Sequence, residues 1–160
     1  MTFAVTPIRE GFLRKVRISG IDDQGQPVRQ LLAEGGEPCR DVLRRARPGE
    51  PIILSSYCPF TRPGPYREYG AVFVLAGRQQ ATGEPLRPTG TVDSYLRQTA
   101  PVVLRAYSAD EDIVAAKLVE PGVLAVEAAE YFARDDVDFV LLRFAVYGCY
   151  ALRLDRVGGR

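Results

Sequence analysis

Two short segments set two of the three thiols of this histidine-free chain in surroundings that could do chemistry. Gly36-Glu37-Pro38-Cys39-Arg40 places Cys39 between a proline and a basic residue, with Arg44 and Arg45 a few positions on. Val42, Leu43 and Ala46 recur at helical spacing over Cys39–Arg47, and Pro38 suits a first helical turn. A helix starting there would put the Cys39 sulfur at the positive end of its dipole, beside guanidinium groups, which favours thiolate. Cys39 is therefore the candidate catalytic group. The same stretch also fits a strand running into a turn, and a free cysteine is most often a small buried hydrophobe. The second segment is Tyr147-Gly148-Cys149-Tyr150, where Gly148 implies a bulge, a positive φ or a close backbone approach at a strand start.

The absence of histidine removes much else. Ser-His-Asp and Cys-His catalysis, histidine-ligated zinc and the usual general base near neutral pH all require it. There is no Gly-x-Gly-x-x-Gly or Walker-type phosphate loop. The three cysteines have no CxxC spacing, so neither a metal site nor a cofactor is expected. Their odd number argues against a secreted disulfide framework and for reduced thiols in the cytoplasm. A net charge of +1 gives no steering toward nucleic acid or an anionic membrane. No apolar run approaches the roughly 18 residues of a membrane span, and Met1–Glu10 does not read as a signal peptide.

What remains is arginine and tyrosine. Among the basic residues only Lys15 and Lys117 are lysines, and arginine grips carboxylate and phosphate with two donors at once. Arg40, Arg44, Arg45 and Arg47 form one cluster, readable as an anion clamp or as a solvated face. Thr61–Glu68 offers Arg62, Tyr66 and Arg67 on a frame stiffened by Pro59, Pro63 and Pro65, which lowers the entropic cost of recognition. The candidate ligand-binding residues are thus Arg40, Tyr66, Arg67, Tyr147 and Cys149. Asp110-Glu111-Asp112 and Asp135-Asp136 with Asp138 lack calcium-loop spacing and read as turn and helix-end residues.

The elements that must position these groups are mostly short strands. Lys15–Ile21 alternates as a strand and stops at Asp22-Asp23-Gln24-Gly25. Pro27–Glu34 fits a strand or a short helix. Strands are expected at Ile52–Tyr57 and Gly70–Ala76, with the proline-rich loop between them. Gly77–Gly90 reads as a second loop and Val92–Gln98 as a short helix. Val102–Tyr107 and Ile113–Val119 form a hairpin around a polar turn. Leu124, Ala128, Tyr131 and Phe132 mark the clearest helix, within Val123–Arg134. Asp138–Val146 and Cys149–Val157 are two more strands. At 160 residues the chain is expected to be one globular domain. Strands that do not alternate with helices predict an α+β fold with a mainly antiparallel sheet.

Several separated segments, in order, resemble a known bacterial family. They are Gly36-Glu37-Pro38-Cys39-Arg40, Pro48-Gly49-Glu50, Pro65-Tyr66-Arg67 leading into Val72-Phe73-Val74, Leu104-Arg105-Ala106-Tyr107-Ser108-Ala109-Asp110, and Tyr147-Gly148-Cys149-Tyr150-Ala151. The chain resembles the domain-of-unknown-function family numbered 1203 over about residues 3–157. The resemblance implies a small cytoplasmic bacterial protein and supplies no activity. Members often carry a histidine just after the strand at Tyr57 and another before the Gly-Cys element. Here those places read Cys58-Pro59 and Leu141-Leu142-Arg143-Phe144, so any shared histidine chemistry would be lost.

The sequence thus favours a small cytoplasmic domain that recognises an anionic group, on a small ligand or a protein, through Arg/Tyr-rich loops. A cysteine-dependent enzyme or redox sensor centred on Cys39 is one alternative. A structural or interaction protein, for instance a homodimer formed by strand edges, is another. Whether the chain is an enzyme stays open.

Overall fold

A computed structural model describes residues 3–77, 92–97 and 100–158, with only the backbone given for residues 92 and 93. In chain order the elements are β1 (Phe3–Thr6), α1 (Glu10–Arg14) continuing as a π-helical turn (Lys15–Ser19), β2 (Arg29–Leu32), β3 (Pro38–Cys39), β4 (Arg44–Arg45), β5 (Pro51–Tyr57) and β6 (Gly70–Leu75). There follow α2 (Val92–Leu96), β7 (Val102–Tyr107), β8 (Ile113–Val119), α3 (Leu124–Phe132) entered through a 3-10 turn, β9 (Phe139–Phe144) and β10 (Tyr150–Arg156). Among the described residues they make two five-stranded sheets, in which every strand pair is antiparallel except β3 with β6. The expected α+β class with mainly antiparallel pairing is what forms. The chain divides into two compact units, one from Met1–Thr6, Pro59–Glu68 and Leu96–Arg160, the other from Pro7–Cys58 and Tyr69–Tyr95.

In the second unit the sheet order is β2-β5-β6-β3-β4. Ile52–Tyr57 forms a strand as its β-branched run implies. Pro27–Glu34 resolves as strand β2, at the sheet edge with all four residues exposed. Two expectations need correction here. Lys15–Ile21 is no strand: α1 and its π-helical continuation bury Phe12, Leu13 and Val16, a helical spacing that starts before the stretch read as alternating. Ile18, which the strand reading would bury, is 79% exposed, and Gly20 at φ +66° ends the helix in the left-handed region. Nor does a helix form over Cys39–Arg47. Pro38 and Cys39 pair with Arg45 and Arg44 in a tight hairpin. Cys39 also lies alongside Phe73 of β6, and the Arg40 N–H donates to the Phe73 carbonyl at 3.0 Å. The edge of β6 captures the segment, and backbone pairing satisfies it better than a short isolated helix would.

In the first unit the order is β1-β10-β9-β7-β8. The hairpin expected over residues 102–119 is β7 and β8. The expected helix is α3, burying Leu124, Ala128, Tyr131 and Phe132. Lys117 of β8 pairs with Glu127 of α3, and Arg156 donates to the carbonyls of Phe132 (2.7 Å), Arg134 (3.0 Å) and Val137 (2.9 Å) around the end of that helix. A basic side chain satisfying the last carbonyls is a favourable helix ending. The loop expected over Gly77–Gly90 lies, past Gly77, outside the described residues, as does Gln98 at the end of the helix expected over Val92–Gln98.

Candidate functional site

Cys39 is fully buried among Ala33, Val42, Ala46, Ile52 and Leu75. Burial pushes its thiol up to about 12, and the charge of Asp41 acts in the same direction, outweighing the downward pull of Arg44 and Arg40. With no helix starting at residue 39, the dipole that was to favour thiolate is absent. The apolar setting is that of an inert structural cysteine rather than a nucleophile.

The arginines around Cys39 are committed to the fold of their own unit. Arg40 is buried and donates to the Pro38 carbonyl at 2.6 Å. Arg44 clamps Glu50 through two bonds of 2.9 and 2.5 Å, and this pairing holds the Glu50 carboxyl down at about 2. Arg45 donates to the carbonyls of Tyr95 and Gly36, both at 2.9 Å. Arg17 joins the buried Asp41 at 2.6 Å and the Leu75 carbonyl at 3.1 Å. These bonds brace the 38–45 hairpin against its neighbours. The same unit holds an open cleft of about 460 Å³ lined by Asp22, Gln24, Gln26, Arg29, Ser56 and Tyr69. Both Asp22 oxygens are spent on backbone N–H groups of Gln24, Gln26 and Ser56, so it stabilises the 22–26 turn.

The other expected residues fall in the first unit. Tyr66 is exposed, and Arg67 donates to the carbonyls of Arg62 (3.0 Å) and Phe60 (3.4 Å), curling the 59–68 loop onto itself. Glu111 holds the start of that loop, accepting from the Thr61 N–H and hydroxyl and the Arg62 N–H at 2.7–3.0 Å. This acidic stretch is a turn, as expected. Tyr147 is exposed at the tip of the β9–β10 connection, and the partly buried Cys149 Sγ lies 3.7 Å from the Tyr147 carbonyl. Gly148 takes φ +72° with open space where a Cβ would stand, so the reason for glycine is the positive φ and not a close approach. The bulge comes further on, between Tyr150 and Leu152.

One side chain connects the loop and the connection. Arg143, the next-to-last residue of β9, has a side chain only 7% exposed. It donates to the Gly148 carbonyl at 3.2 Å and to Oε1 of Glu68, the last residue of the loop. Arg105 of β7 donates to the same Oε1 at 3.2 Å. Register explains the convergence: Val103 lies opposite Arg143, so Arg105, two residues along, projects from the same face. The buried Nε of Arg143 has no hydrogen-bond partner among the described residues. Arg143, Arg105 and Glu68 were not among the expected site residues. The available signal was a charge interrupting each of two apolar strands, Phe-Val-Leu-Leu-Arg-Phe and Val-Val-Leu-Arg-Ala-Tyr. Among the described residues no three Cys, Asp or Glu side chains gather as a metal ion needs.

Residues 36–156 match a family model described as a protein of unknown function (DUF1203). The chain belongs to the DUF1203 family. None of the curated proteins and none of the solved structures compared matches it. The DUF1203 match takes in strands β3 to β10 with Cys39, Glu68, Arg105, Arg143 and Cys149, while β1, α1 and β2 precede it.

Proposed function

We propose that this DUF1203 protein binds a small anionic ligand at the first unit, between the 59–68 loop and the 144–149 connection. Arg143 and Arg105 are the anion-binding groups; Tyr66, Arg67, Tyr147 and Cys149 border the approach. The observation that supports this reading is the buried Arg143 sharing one carboxylate oxygen with Arg105 while its own Nε lacks an acceptor among the described residues. A guanidinium held in low dielectric gains more from an anion than one in water. Arg40, first grouped with these residues, is committed within the second unit and is not part of the proposed site. The proposal extends to a bacterial, cytoplasmic protein, a reading supported by three free cysteines. Among the described residues no helix is long and apolar enough to cross a membrane.

Thermal-shift titration with acetate, succinate, sulfate, phosphate and nucleotides tests the reading, because a ligand bound only by the native state raises its stability. At least one small anion is expected to raise the melting temperature of the wild type, and Arg143→Gln is expected to abolish the rise. Equal shifts in wild type and Arg143→Gln, or none with any anion, would refute it.

A further inference from the structure

Glu68 differs from Arg143 in one respect that bears on the ligand. The Arg143 side chain is 7% exposed and fixed on strand β9, whereas the Glu68 side chain is 41% exposed at the end of a loop. The carboxylate can swing into water; the guanidinium cannot follow it. Two like charges on one face of neighbouring strands repel each other unless an anion lies between them. If Glu68 left with nothing in its place, Arg143 would be a buried charge without a counterion, which is strongly unfavourable. Departure of Glu68 is therefore coupled to arrival of another anion.

We infer that Glu68 is a tethered carboxylate occupying the ligand's place on Arg105 and Arg143, and that the ligand is itself a carboxylate that displaces it. The inference rests on the anion-binding reading above and narrows it to a class. Both arginines meet at Oε1, so the position they define is that of a carboxylate oxygen. One Arg143 N–H is given to the Gly148 carbonyl, and the group that the remaining donors of the two arginines meet is a carboxylate. An internal competitor weakens apparent affinity by the fraction of molecules in which the site is open.

The test is an NMR titration of acetate and of inorganic phosphate into wild type, Glu68→Gln and Arg143→Gln. Removing the Glu68 charge while keeping its shape is expected to tighten acetate binding about tenfold, as for a site occupied by Glu68 about nine-tenths of the time. Arg143→Gln is expected to bind neither anion. Acetate binding to Glu68→Gln no tighter than to wild type would overturn the displacement while leaving the anion site intact. A gain for phosphate as large as that for acetate would overturn the carboxylate class. No binding by wild type or Glu68→Gln would overturn the anion site itself, and the inference with it. If Glu68→Gln does not fold, Glu68→Ala in sodium acetate replaces it: recovery of its melting temperature by acetate and not by chloride supports displacement, and no recovery overturns it.

Discussion

A thiol enclosed by Ala33, Val42, Ala46, Ile52 and Leu75 ionises only at the cost of placing charge among hydrocarbon, and neighbouring arginines do not offset that cost when the charges of Asp41 and Glu50 oppose them. In the native protein at pH 8, alkylation read by mass spectrometry is expected to modify the partly exposed Cys149 first, with the buried Cys39 and Cys58 reacting only on unfolding. Labelling of Cys39 first would show an activated thiol. Glu50 gives the corresponding statement for a carboxylate. Its pKa falls from 4.5 to about 2 because Arg44 hydrogen-bonds the charged form. A depressed carboxylate stabilises the fold fully above the unfolded value and loses that contribution as pH falls from about 4.5 toward 2. Glu50→Gln is expected to cost about 1–2 kcal/mol at pH 7, allowing for solvent screening, and progressively less below pH 4.5 in urea melts at stepped pH. A deficit that does not shrink toward pH 2 would assign the loss to packing.

At the scale of elements, Arg17 ties the π-helical turn after α1 to the sheet of its unit, through an ion pair with Asp41 and a hydrogen bond to the Leu75 carbonyl. Asp41 is buried and its pKa is pushed up by desolvation, with Arg17 as the main opposing charge. Arg17→Leu leaves that carboxylate without a counterion and is expected to destabilise by about 3–5 kcal/mol, whereas the double variant with Asp41→Asn recovers much of the loss. Additive losses in a double-mutant cycle would contradict the coupling. This arrangement was not legible in the sequence. Val16 and Ile18 alternate as a strand would, and only the burial of Phe12 and Leu13 together with Val16 distinguishes the helix. The 38–45 hairpin was equally open to two readings, because its choice of structure depends on the edge of β6, which follows it by some thirty residues. By contrast α3 was legible, since its apolar stripe is long enough to be decided locally.

At the scale of the whole molecule, neither compact unit is one continuous stretch: the chain passes to the second at Pro7, back at Pro59, out again at Tyr69 and back at Leu96. Residues 1–160 are expected to unfold as one cooperative domain, with calorimetric and van't Hoff enthalpies that agree; two separated heat-capacity peaks would show that the units unfold independently. The sequence by itself determined the α+β class, the strands β5 to β10, the α3 helix, the turn at Gly148 and the chemistries that need histidine and are therefore closed to this chain. It also named the 59–68 loop and the Gly148-Cys149 segment. The tertiary structure alone decided that Cys39 is enclosed, that Arg40, Arg44 and Arg45 brace a hairpin, and that Arg105 and Arg143 meet at Glu68. The reason is range. Periodicity records neighbours two, three or four residues away, while the arginine pair is set by a register joining Val103 to Arg143, which only the folded sheet brings together.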